Sequence, residues 1–175
     1  MKYFALCALI ALAGCGDAEP EITLVERKKQ FVVDQLWTWK DSRGLPVEIH
    51  GTPFTRTSDH ALATALLQPN RETGDLSFYA APTGSWTRGH SSRLVLHFNP
   101  QGDPDPYNDC KLRSEASTNP RPETGLTVHV TFCRQDKWLA HANLVAPNIA
   151  DGDLKAFGEI MQKLMLKIFA TDPAQ

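Results

Sequence analysis

The residues best equipped for chemistry are six histidines, three of them in segments that alternate as strands do. These are His97 in RLVLHF, His129 in GLTVHVTFC and His141 in KWLAHANLV. Alternation sets Leu94, Leu96 and Phe98 on one face of the first segment, and Leu126, Val128, Val130 and Phe132 on one face of the second. The second and third segments flank the polar Arg134-Gln135-Asp136 and read as a β-hairpin. Apolar matching selects a register with Phe132 opposite Trp138, Val130 opposite Ala140 and Leu126 opposite Leu144. His129 then faces His141 on the other side of the sheet, and a neighbouring RLVLHF strand would bring His97 beside them. Neutral imidazole is a ligand for zinc and for copper, so His97, His129 and His141 form the expected metal set. No carboxylate or thiolate is evidently placed to complete it, and sheet faces also carry histidine without metal.

Two further stretches contain reactive residue types. Gly89-His90-Ser91 begins like a G-x-S-x-G nucleophile elbow, but Arg93 stands where the second glycine belongs and a strand follows instead of a helix. In NPQGDPDPYNDC, residues 99–110, the oxygens of Asp103, Asp105, Asn108 and Asp109 have the composition of a calcium loop. Tyr107 occupies the third ligand position and the prolines stiffen the run, so a turn-rich surface loop is expected. No motif calls for a cofactor.

Cysteine is the other informative type. Lys2 is followed by an apolar and small-residue run from Tyr3 to Ala13, about half the length that spans a bilayer. Leu12-Ala13-Gly14-Cys15 then resembles the lipobox of bacterial lipoproteins, a resemblance confined to the N-terminus. It implies that residues 1–14 are a signal peptide that is removed, that the Cys15 thiol is lipidated, and that residues 15–21 form a short tether to the membrane. Two or more acyl chains on one residue anchor durably. Gly16, where many inner-membrane members carry aspartate, favours the outer membrane, with the domain facing the periplasm. Cys7 would leave with the signal, and Cys110 and Cys133 would meet an oxidising compartment, where a disulfide is the default. Closing that loop stabilises the fold by roughly 3 kcal/mol in the chain-entropy view. Free thiols and a redox pair are the alternatives, and no C-x-x-C spacing supports the second.

These residues need a scaffold. Residues 15–175 number 161, enough for one domain with its own core. Loss of Lys2 leaves 17 basic against 20 acidic side chains, a net charge of −3 with no basic stripe, which argues against nucleic acid as a partner. Residues 22–39 fit a helix, although their last positions could turn into a strand. VEIHG reads as a short strand, Ser58 caps a helix over 59–68 that Pro69 stops, and LSFYAA is a strand. CKLRSEAS could add another, which points Cys110 inward while the alternation of 125–133 points Cys133 outward. A bulge, or Cys133 lying past the last ladder pair, would reconcile them. From Asp151 or Asp153 onward, Leu154, Phe157, Met161, Leu164, Met165 and Ile168 make one stripe of an amphipathic helix. The expected fold is a single α+β domain over 22–175, an antiparallel sheet covered on one face by helices that include the C-terminal one.

Three functions follow in order. The first is a non-catalytic lipoprotein that binds or helps assemble an envelope component. The second is a small envelope enzyme using dispersed residues, His90, His129 and His141 first among them. The third is a metal-binding protein built on the sheet histidines. Active sites assemble from distant residues, so a missing motif weighs little against an enzyme.

Overall fold

The computed structural model describes residues 19–28, 43–66, 76–82, 92–111, 118, 120 and 125–169. The lipobox residues Leu12–Cys15, the second half of the 22–39 segment, His90, Ser91 and most of CKLRSEAS lie outside them.

Six strands form one sheet: β1 (Glu21–Arg27), β2 (Leu45–His50), β3 (Phe78–Ala80), β4 (Ser92–Phe98), β5 (Leu126–Arg134) and β6 (Lys137–Ala146). Their spatial order is β1-β6-β5-β4-β2-β3. The first four in that order are antiparallel neighbours, but β2 runs parallel to both β4 and β3. The sheet is therefore mixed, not antiparallel throughout as expected. The cause lies in the connection from β2 to β3, which contains helix α1 (Asp59–Ala65). A helical crossover returns the chain in its original direction, whereas a tight turn reverses it.

The expectation of a helix from residue 22 is also corrected. Residues 21–27 are β1, paired with β6 through Ile22↔Leu144 and Glu26↔His141. Ile22, Thr23 and Val25 are β-branched, and the edge of β6 offers them hydrogen bonds that an isolated helix turn cannot match.

One face of the sheet carries the core. Leu45, Val47, Leu94, Leu96, Phe98, Val128, Val130, Phe132 and Leu144 are fully buried there. Leu62 and Leu66 from the α1 region and Phe157, Met161, Leu164 and Ile168 from α3 (Leu154–Ile168) belong to the same cluster. Asp153 caps α3 by accepting from the Ala156 N–H, and Ser58 caps α1 by accepting from Ala61. Gly44, at φ +115°, enters β2 where an added Cβ would lie 2.1 Å from the Ser77 carbonyl oxygen, so only glycine fits.

The β5–β6 hairpin differs from the expected register by two residues. Its turn is the two-residue Gln135-Asp136, with Arg134 opposite Lys137 and Cys133 opposite Trp138. Continued regularly, that ladder would pair Val130 with His141. A bulge between Phe132 and Cys133 shifts the register so that Phe132 faces Ala140, Val130 faces Ala142 and Val128 faces Leu144. The extra residue sets Ala140, Ala142 and Leu144 opposite Phe132, Val130 and Val128 on the core face and leaves Trp138 with Cys133 on the other.

Candidate functional site

The opposite face of the sheet carries a row of imidazoles. Registers place His50 of β2 beside His97 of β4, and His97 beside His129 of β5. His129 faces Asn143, not His141, and His141 faces Thr131, which corrects the expected direct pairing. The two rings remain diagonal neighbours. Centroids lie 4.5 Å apart for His50–His97, which stack nearly parallel, 6.2 Å for His97–His129 and 5.8 Å for His129–His141. Trp138 closes the row edge-on to His141 at 5.0 Å.

Three carboxylates accompany the rings, and the sequence reading had paired none of them with histidine. Glu48 Oε1 lies 3.0 Å from His50 Nε2, and its Oε2 lies 3.3 Å from Arg93 Nε. Glu26 Oε2 lies 3.2 Å from His141 Nε2. Asp109 sits at the centre, with Oδ1 2.9 Å from His97 Nε2 and Oδ2 3.1 Å from His129 Nε2. The Thr131 hydroxyl also donates to Asp109 Oδ2, while His129 Nδ1 meets Asn143 Oδ1.

Asp109 reaches this position on a short helix, α2 (Pro106–Asp109), laid over the row. Asp105 caps it by accepting from the Tyr107 N–H at 2.9 Å. Arg93 fixes the far end, donating from Nη2 to the carbonyls of Asp109 and Cys110 and from Nη1 to that of Gln135. A disulfide joins Cys110 to Cys133. It lies on the histidine face with Val95, because Cys110 follows α2 and not a core-facing strand. That placement resolves the inward–outward conflict without a bulge in β5: Cys133 keeps the outward direction of its alternation, and Cys110 meets it from the loop after α2.

Burial sets the electrostatics. It would push the Asp109 carboxyl up, but hydrogen bonds from His129 and His97, the charge of His97 and the Thr131 hydroxyl outweigh it. Asp109 is thereby held well below the ordinary carboxylate range. Burial lowers the Arg93 pKa against the opposing pull of Glu48 and Asp109. Burial also lowers His141, opposed by Glu26 and reinforced by His129.

For the expected metal set, His97 and His129 share Asp109, while His141 turns to Glu26. Among the described residues no group of three or more His, Cys, Asp or Glu is placed to hold a metal ion. The calcium-like oxygens diverge as well, since Asp105 caps α2 and Asp109 points into the sheet. Glu48, His50 and Arg93 were within reach of sequence reasoning. The alternation that turns Val47, Ile49, Leu94 and Leu96 inward turns these three residues to the face that holds His97. Asp109 had no such signal beyond its adjacency to Cys110.

Beside the row lies an open cleft of about 380 Å³, lined by Thr23, Asn99, Asp103, Thr127, Asn143, Val145 and neighbouring prolines. Asn143 belongs to both, touching His129 and lining the cleft.

No protein-family model matches the chain, and no curated protein matches it. Among solved structures, the PelC dodecamer from Paraburkholderia phytofirmans is similar over 86% of this chain and 100% of that chain, at 15% identity and a TM-score of 0.43. A variant of the same dodecamer is similar over 88% of this chain and 100% of that one, at 12% identity and a TM-score of 0.42. Scores of this size assign neither family nor function.

Proposed function

We propose that the chain is a bacterial envelope lipoprotein, cleaved before Cys15 and lipidated there, whose domain binds an envelope partner and does not catalyse a reaction. Gly16 favours the outer membrane, with the domain on the periplasmic side. One observation carries the binding reading. Each imidazole of the row, His50, His97, His129 and His141, lies within 3.2 Å of a carboxylate, while the open cleft offers amides, hydroxyls, prolines and one carboxylate. General acid–base or nucleophilic chemistry needs its groups beside a space that a reacting atom can occupy. None of the row's imidazoles or carboxylates is among the described residues lining the cleft, and those residues include no His, Cys, Ser, Lys or Arg. The Cys110–Cys133 bridge agrees with an oxidising compartment.

The test is crosslinking in intact membranes, comparing the full-length chain with Cys15→Ser and following labelled palmitate. The reading expects label on the wild type alone, and a defined partner that co-purifies with it and is lost in the variant. Unlabelled wild type, or a crosslinking pattern no different from that of Cys15→Ser, would count against it.

A further inference from the structure

The geometry points to one end of the sheet as a surface that rests on the phospholipid headgroup layer, an inference standing on the lipidation proposed for Cys15. β1 starts at Glu21. The six residues from Cys15 to that point reach about 20 Å at full extension. Ten-residue β6 alone is about 33 Å long. The tether is thus shorter than the sheet, and it holds one end of the sheet closer to the bilayer than the other.

The registers fix which end that is. Glu21 pairs with Val145 and Leu126 with Ala146, so the start of β1, the start of β5 and the finish of β6 lie together. Asn99, just beyond β4, joins them by donating its N–H to the Thr127 carbonyl. Arg27, Arg134 and the Gln135-Asp136 turn occupy the opposite end. The cleft lies at the tethered end, since Thr23, Asn99 and Thr127 line it.

The chemistry of that end fits zwitterionic headgroups. Hydroxyl and amide groups match phosphate and ester oxygens, Asp103 is exposed to meet an ammonium group, and Val145 is 44% exposed. The described lining residues include no lysine or arginine to select anionic lipid.

The test uses the full-length acylated protein in vesicles of phosphatidylethanolamine and phosphatidylcholine with nitroxide-bearing headgroups. A bimane label is placed at Asn148→Cys, at the tethered end, or at Asp136→Cys in the far turn; both positions are exposed. With Cys15 acylated and Cys110 bonded to Cys133, the added thiol is the one that reacts. The expected result is strong loss of fluorescence at position 148 and little at 136. Equal quenching, or stronger quenching at 136, in protein that floats with the vesicles overturns the orientation and leaves the lipidation standing. Protein that does not float overturns both.

Discussion

Asp109 illustrates how a single carboxylate can organise a buried polar row. It meets His97, His129 and Thr131 at once, and removing one partner of a buried charged set leaves the others uncompensated. Asp109→Ala should therefore destabilise the domain by about 3 kcal/mol or more, read from urea unfolding, with Asp109→Asn costing less because it keeps one carbonyl acceptor. The acid limb of stability follows from two depressed values. His141 sits below its ordinary 6.5 in the folded chain, so the unfolded chain takes up that proton first. Its contribution is present above pH 6.5 and is lost as pH falls through the folded value. Asp109 sits below its ordinary 3.8, and its contribution is lost as pH falls below that figure. Melting temperatures measured from pH 7.5 down to about pH 2.5 should hold above pH 6.5, fall below it as His141 is protonated and fall again below pH 3.8, and a rise on acidification would contradict the assignment. At this scale the sequence disclosed residue types but not partners. Alternation places His97 and His129 on one face, yet Asp109 arrives from a loop whose path no periodicity encodes.

At the scale of elements, period-two and period-3.6 patterns made β2, β4, β5, β6 and α3 legible, because each buries one apolar face. Two features escaped. The 22–39 segment has spacing compatible with a helix, and pairing with β6 decides its first half as a strand. The hairpin register depended on a bulge, which inserts Leu139 into β6 and breaks that strand's alternation between Trp138 and Ala140. The β2–α1–β3 order contained the signature of a parallel crossover, and an antiparallel sheet was expected despite it. Leu164 is fully buried in α3 against the sheet, so Leu164→Ala should cost about 2–5 kcal/mol in urea unfolding. Reducing the Cys110–Cys133 bridge should cost roughly 3 kcal/mol and speed hydrogen exchange at the Tyr107, Asn108 and Asp109 amides. Unchanged exchange there would mean that Arg93 and Asp109 hold α2 without the bridge.

For the whole molecule, the parts describe a division of labour. The core face under α1 and α3 holds the sheet together, the imidazole row and the disulfide fasten α2 to the other face, and the polar cleft remains open at the end nearest the proposed anchor. Everything assigned to the envelope descends from the chemistry of Cys15. The most direct measurement is intact-mass and peptide mass spectrometry of the full-length gene product purified from bacterial membranes. The account predicts a chain that starts at Cys15 with a diacylglyceryl thioether and an acylated amine, and a Cys110–Cys133 bridge. An unmodified chain that begins at Met1 and stays in the soluble fraction would contradict it.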